Sequence, residues 1–255
     1  MSLNFHSPSG GRQGGGVIAF VPVYNEETHI AELLDRFNPV LEAGTVQEVV
    51  VVDDASTDQT PAILRRYPNV TVITQQAHQG IGSSIRAAYR RALEGNYDVF
   101  VIMAGNGKDD PALIGRLLAP VLADKADYVQ GSRFLPGGQS KGLPRHRYVA
   151  MRAFSLVFSL MVLHHFTDCT NGFRAYRTAV LRDDRIGWSQ SWLGQGYELE
   201  YYIHYKVAQL GYRVTEVPVS KIYRRAPNGS YSKIRWADWP RMLRPLLYLR
   251  LGFRQ

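Results

Sequence analysis

The sequence predicts an α/β protein, a single domain around a mostly parallel sheet. Two observations carry this expectation. Apolar, valine-rich runs at residues 17–23, 49–52, 70–73 and 99–103 are each followed by a segment whose apolar residues recur at helical spacing. A continuous apolar run marks a strand buried on both faces, and strand–helix alternation covers a parallel sheet with helices on either side. The chain has 255 residues, 45% of them hydrophobic, which suits a sizeable core and excludes global disorder.

Each element follows in order. Residues 1–16 are rich in Gly and Ser and read as a flexible leader. Residues 17–23 form the first strand, closed by Tyr24 and Asn25. Residues 26–41 place Ile30, Leu33, Leu34 and Phe37 at helical spacing. The valines at 49–52 predict a central strand. A helix is expected over 58–67, with Thr60 and Pro61 at its start, then a strand over 70–73 and a helix over 80–93. A strand over 99–103, a helix over 111–122 and a short strand over 128–130 continue the alternation. Beyond Phe134 the pattern changes. A Gly/Pro loop at 136–144 leads into a long apolar helix over 145–166 with Arg147 and Arg152 near its start. A helix over 198–210, closed by Gly211, and a strand over 213–219 precede a basic tail.

The charge is localised. Residues 221–255 hold nine Lys or Arg and one Asp, so they carry the whole net charge of +8, and residues 1–220 balance. Trp236, Trp239, Leu246, Leu247, Tyr248, Leu249 and Phe253 are interleaved with it. Basic, aromatic and apolar residues together compose a segment that lies on an anionic membrane; a solvated tail or a nucleic-acid patch is the blander alternative. The longest uncharged apolar stretch, 153–167, is shorter than the ~20 residues a membrane span needs, and no secretory leader is visible. The single cysteine, Cys169, excludes an internal disulfide and suits a reducing compartment. The expected place is the cytoplasm, peripheral on the inner face of a membrane, with no nucleic-acid partner.

In open parallel sheets, ligands bind at the carboxyl ends of the strands. Three polar loops fall there: Tyr24-Asn25-Glu26, the acidic turn at 53–58, and the loop at 104–110. Asp and Ser favour turns anyway. Two adjacent aspartates directly after four valines, beside two further polar loops, point to a ligand crevice instead.

Val-Pro-Val-Tyr-Asn-Glu at 21–26, Val-Val-Asp-Asp-Ala-Ser-Thr-Asp at 51–58 and Gly80-Ile81-Gly82 resemble the nucleotide-binding half of family 2 glycosyltransferases with the GT-A, Rossmann-like fold. Gly131-Ser132-Arg133-Phe134, the run from Asp168 to Tyr176, and Glu216-Val217-Pro218 resemble the dolichyl-phosphate mannose synthase and polyprenyl-phosphate glycosyltransferase branch. The resemblance spans 17–233 and gives a glycosyltransferase domain over 17–220 with a membrane-proximal tail over 221–255. It implies inverting transfer of a hexose from a UDP- or GDP-sugar to a polyprenyl phosphate. It implies that Pro22, Tyr24, Glu26, Asp54 and Asn106 meet the nucleotide, with Asp53 supporting the turn. Carboxylates there can accept hydrogen bonds from a base and from ribose hydroxyls. Glu200 matches an acid near the sugar; Glu198, two positions away, does not share its helix face. Arg133, Arg147, Arg152 and Arg174 match the positions for the lipid phosphate, where arginine forks offset the repulsion of two anions. That phosphate is largely ionised near neutral pH and attacks without a general base.

Two departures stand out. The family carries Asp-x-Asp, holding Mg²⁺ or Mn²⁺ against the diphosphate, where this chain has Ala104-Gly105-Asn106-Gly107-Lys108. Three readings stay open: a remodelled metal site on Asn106, Asp109 and Asp110; Lys108 as a point charge in place of the ion; or a protein without activity. Met151 also stands where the branch commonly has a serine. Rival functions are transfer to a sugar hydroxyl, which needs a general base, and non-catalytic nucleotide-sugar binding.

Overall fold

The computed structural model describes residues 15–223, 239–251 and 253. Along the chain run β1 (Val17–Val23), α1 (Ile30–Glu42), β2 (Glu48–Asp53), α2 (Thr60–Leu64), β3 (Thr71–Thr74), α3 (Ile81–Glu94), β4 (Val99–Ile102), a 3-10 turn (Pro111–Leu113), α4 (Ile114–Leu122) and β5 (Tyr128–Ser132). Then follow β6 (Gln139–Lys141), α5 (Arg145–Val162), β7 (Arg174–Arg177), α6 (Thr178–Arg182), α7 (Glu198–Gln209), β8 (Val214–Pro218), β9 (Ser220–Ile222) and α8 (Trp239–Arg250). Residues 1–14, most of the expected leader, and 224–238, the first stretch of the tail with Trp236, lie outside the described residues.

The central sheet has seven strands in the order β3-β2-β1-β4-β7-β5-β8. The first four are mutually parallel, with Val21 beside Val51, Val23 beside Asp53 and Phe20 beside Ile102. Side chains alternate across a strand. Ala19, Val21 and Val51 therefore pack with Leu33 and Phe37 of α1 and Leu117 of α4, while Ile18, Phe20 and Val52 pack with Ile85 and Tyr89 of α3 and Tyr202 of α7. This two-sided burial is what the valine runs encode.

Strand β7 breaks the parallel order, running antiparallel between β4 and β5. Its sequence, Arg-Ala-Tyr-Arg, has no apolar run and escapes the periodicity argument. It is a strand because its neighbours pay its polar atoms back: Tyr176 stacks on Tyr128 at 5.1 Å and shares a hydroxyl hydrogen bond with Tyr89, and Arg174 is buried on partners described below. The helix expected over 145–166 stops at Val162. Leu163 takes φ 55°, which ends α5, and the Ser159 hydroxyl then accepts the Phe166 N–H at 3.0 Å, burying Phe166 against Phe158 and His204. The expected 58–67 helix is likewise shorter, at Thr60–Leu64.

The boundary drawn at residue 220 falls inside β9, which pairs with β6. Lys221 and Tyr223 are buried there. Further on, Met242 and Leu246 of α8 are buried in a third cluster with Phe154 and Phe158 of α5 and Tyr201 and Tyr205 of α7. Among the described residues no helix is long and apolar enough to cross a membrane.

Candidate active site

The three polar loops do converge. They line a cavity of about 540 Å³ at the carboxyl ends of β1, β2 and β4, within the range of small-molecule sites. Side chains stitch the first two loops together. Asn25, at φ 50°, accepts the Thr57 N–H at 2.8 Å through Oδ1, and its own N–H donates to Ser56 Oγ at 2.9 Å. The Glu26 N–H donates to Thr60 Oγ1 at 2.9 Å. Asp53 is buried behind the cavity and accepts the Ser56 N–H at 3.0 Å, a turn-supporting position. Pro22, Tyr24, Glu26, Asp54 and Asn106 all line the cavity.

Asp54 has a structural task that its sequence position hides. Its carboxylate accepts the N–H groups of Gln79 and Gly80 at 2.8 and 2.7 Å and pairs with His78 Nδ1 at 2.8 Å. His78 stacks on Tyr24 with centroids 3.9 Å apart. Asp54 thus fastens the loop before α3 over the first strand's end. His78 sits in a loop without a motif, so nothing in the sequence singled it out.

At β4, Gly105 lies so close to Pro22 O that a Cβ would sit 2.4 Å from it, which excludes any side chain there. Asn106 Oδ1 accepts the Lys108 N–H at 3.3 Å. Lys108 faces the cavity; burial and the neighbouring Lys221 push its ammonium down to about 8, against the pull of Glu26 and Asp109. Asp109 is fully buried outside the cavity lining, with Oδ2 3.0 Å from Lys221 Nζ and Oδ1 without a hydrogen-bond partner among the described residues. Asp110 also lies off the cavity and caps the 3-10 turn by accepting the Ala112 N–H at 3.1 Å.

These residues do not fit a divalent cation. Such an ion takes several oxygen ligands, usually with one or two carboxylates. The loop offers the cavity one neutral carboxamide, its buried carboxylate, Asp109, lies off the lining and is tied to an ammonium, and two ammonium groups share the space. Among the described residues no group of three or more His, Cys, Asp or Glu could hold a metal ion. The remodelled site on Asn106, Asp109 and Asp110 is therefore set aside.

The acceptor arginines separate into two kinds. Arg133 lines the cavity but is committed: Nε and Nη2 pair with both Asp168 oxygens at 2.6 and 2.7 Å, Nη2 also donates to Thr170 Oγ1, and Nη1 donates to the Tyr223 hydroxyl. Arg174 does not line the cavity. It is enclosed by Gln130 Oε1 at 2.7 Å, Cys169 O at 3.3 Å and Glu200 at 3.2 Å, which removes it from reach of a lipid phosphate. Arg147 is half-buried and close enough to contribute to the depressed Lys108 value. Arg152 is exposed, 5.5 Å over the Phe134 ring, and Met151 beside it lines the cavity.

Glu198 and Glu200 both line the cavity, against the expectation that only one would. Only the first turn of α7 reaches the site, so residues from different helix faces look in together. Burial raises the Glu200 carboxyl, with Arg174 and Lys221 opposing.

Similarity to known proteins agrees with this geometry. The model for "Glycosyl transferase family 2" matches residues 18–185. An undecaprenyl-phosphate mannosyltransferase of Micrococcus luteus is 34% identical over 212 residues, covering 82% of this chain and 84% of that protein. A polyprenol monophosphomannose synthase of Mycolicibacterium smegmatis is 29% identical over 208 residues, covering 80% and 76%. In fold, the chain is similar to glucosyl-3-phosphoglycerate synthase from Mycobacterium tuberculosis, solved with Mn²⁺, UDP-glucose and phosphoglyceric acid. The TM-score is 0.69 at 18% identity, over 95% of this chain and 82% of that one. The fold is GT-A, and the chain belongs to glycosyl transferase family 2.

Proposed function

We propose that this glycosyltransferase moves a hexose from a UDP- or GDP-sugar onto a polyprenyl phosphate, with inversion at the anomeric carbon. The names of the two relatives described above support the acceptor class. The observation that carries the reading lies on α5. Met151 of this helix lines the cavity, while Val149, Leu156 and Leu160 form an exposed apolar stripe along it, continued by Leu163 just past its end, Leu160 66% and Leu163 73% accessible. An acceptor with a charged head and a long apolar tail needs that juxtaposition. The stripe runs about 20 Å at 1.5 Å per residue. Arg147 and Arg152 flank its cavity end and would receive the phosphate. The exposed Leu247, Leu251 and Phe253 in and after α8 would join the membrane contact, with anionic lipid opposite the basic residues.

The chemistry is a single displacement. A phosphate oxygen of the acceptor forms a bond to the anomeric carbon as the bond from that carbon to the donor's β-phosphate oxygen breaks. The electron pair leaves with the nucleoside diphosphate, and no proton must move. The protein's part is to hold two anions within reach of one carbon. Tyr24, Asp54 and Pro22 would define the nucleoside end, and Glu198 and Glu200 the sugar end. The test is transfer with purified protein, each donor and a polyprenyl phosphate; only hydrolysis, or transfer to free sugars alone, refutes the reading. Leu156→Glu with Leu160→Glu is expected to reduce turnover of the long-chain acceptor roughly tenfold, as about 1.4 kcal/mol of apolar contact is lost, and to spare a short water-soluble acceptor. Equal loss on both acceptors would remove α5 from the lipid path.

One observation favours a second reading. Glu200 faces the cavity with its carboxyl raised by burial, the property of a general base for a hydroxyl acceptor. Its Arg174 partner at 3.2 Å opposes that role. The two readings part in the pH profile. A hydroxyl acceptor demands an acidic limb that Glu200→Gln abolishes with the activity; the phosphate acceptor predicts a Glu200→Gln enzyme whose profile keeps its shape.

A further inference from the structure

Resting on the donor reading above, we propose that Lys108 and Lys221 together hold the donor's diphosphate in place of a divalent cation, so that donor binding by this protein needs no metal. The two lysines come from distant parts of the chain and are brought to one wall of the cavity. The backbone arranges this directly: the Ile222 N–H donates to Lys108 O at 3.0 Å, so β9 is laced to the loop after β4 and its inward residue, Lys221, stands beside that loop. Alternation along the segment turns Lys221 and Tyr223 inward and leaves Ile222 exposed.

Lys221 is preset for an anion. An ammonium carries three donors. Two go to Asp109 Oδ2 and Asn171 Oδ1, each at 3.0 Å, which fixes the nitrogen and, among the described residues, leaves one N–H for a ligand. Lys108 lies beside it, with its ammonium 5.6 Å from the centroid of the Tyr223 ring.

Lys108 and Lys221 stand close enough to act on each other, and several of the acids around them are engaged elsewhere. Asp109 offsets Lys221, and Asp168 offsets Arg133. Asp54 is engaged by the 78–80 loop and Glu200 by Arg174. Lys108 is left between the pull of Glu26 and Asp109 and the repulsion of Lys221 and Arg147, with Glu198 also on the cavity wall. Like charges confined in a partly dry cavity repel until a counter-charge enters. The two negative charges of a nucleotide-sugar's diphosphate supply it. Ammonium groups bind phosphate oxygens as point charges, without the fixed ligand geometry an ion requires. They also stay in place as charge builds on the departing nucleoside diphosphate, the moment at which fixed positive charge matters most.

The experiment is calorimetric binding of UDP and of GDP, in EDTA and in Mn²⁺. The wild-type protein is expected to bind one of them with the same dissociation constant in both. Lys108→Ala should weaken that binding by ~10- to 100-fold, the range of a charge-assisted contact. Lys221→Met alone strands the buried Asp109 and threatens folding, so it is paired with Asp109→Asn. The double variant should melt as a folded protein and lose affinity by a comparable factor. Lys221→Arg, which keeps the charge, should retain most of it. Binding that vanishes in EDTA and returns with Mn²⁺ overturns the two-lysine site and leaves the donor reading standing. Unchanged affinity in both lysine variants also overturns it. Failure of both nucleotides to bind under any condition overturns this inference and the donor reading together.

Discussion

Asp168→Asn is expected to lower the free energy of unfolding by about 3–5 kcal/mol, because it leaves the Arg133 guanidinium buried without its counter-ion. Both side chains are almost wholly enclosed, and the pair is bidentate at 2.6 and 2.7 Å. The cluster is built inward from β8: Glu216 accepts the Thr167 and Asp168 N–H groups at 2.8 and 3.1 Å, which sets Asp168, which sets Arg133, whose Nη1 meets the Tyr223 hydroxyl. Burial alone would raise the Asp168 carboxyl, but Arg133 outweighs it and holds it below the ordinary range. A carboxyl depressed in the folded state stabilises the protein at pH values above its unfolded value of 3.8 and loses that contribution as pH falls further. Urea unfolding at pH 7 should therefore show the large loss in Asp168→Asn, and the gap from wild type should narrow in acid. Arg133→Met with Asp168→Leu should recover much of the stability, since replacing both members of a buried pair costs less than removing one. If Arg133→Ala instead folds like wild type and raises only the Michaelis constant for the lipid phosphate, the guanidinium belongs to the acceptor site after all.

That case shows how far the sequence could be read. Strands β1, β2 and β4 were legible because burial on both sheet faces leaves an uninterrupted apolar run, and the loops at their ends followed from the topology. The family resemblance named the residues in those loops, and five of the six line one cavity, with Asp53 buried behind it. Arginines are less readable. Arg133, Arg147, Arg152 and Arg174 look alike in sequence, yet Arg133 is consumed by the buried Asp168 and Arg174 by Glu200, while Arg152 reaches solvent. Partner choice between residues far apart in the chain decides this, and no local pattern encodes it. Lys221 is the same problem reversed. Counted by position it belonged to a basic tail; its contact with Asp109 makes it part of the cavity wall. The helix α8 hid in that tail too, because Pro240, Pro245 and four arginines between 241 and 254 mask the Met242 and Leu246 face that packs on α5 and α7.

Nucleotide affinity is expected to fall with rising pH above about 8, by up to tenfold per pH unit, as Lys108 loses its proton. Burial, then Lys221, and to a smaller extent Arg147, depress this ammonium to about 8, while Glu26 and Asp109 pull the other way. A bound diphosphate favours the charged form, so the complex titrates higher than the free protein. Binding takes up a proton in the interval between the two values, and affinity must drop across it. The nucleotide's own terminal phosphate, with a second pKa near 6, is already ionised there and does not contribute. Folding stability moves the opposite way. The folded-state value lies below the unfolded value of 10.5, so between about 8 and 10.5 the unfolded chain holds the extra proton and this group's contribution to stability rises with pH. Titration of UDP or GDP between pH 7 and 9 reads the first effect, and unfolding without nucleotide reads the second. In Lys108→Arg the guanidinium stays charged throughout, so affinity should become flat over the interval. In Lys108→Ala it should be flat and weak. A wild-type affinity that is already independent of pH from 7 to 9, in a protein whose Lys108→Ala form binds as well, would place the diphosphate away from the loop after β4.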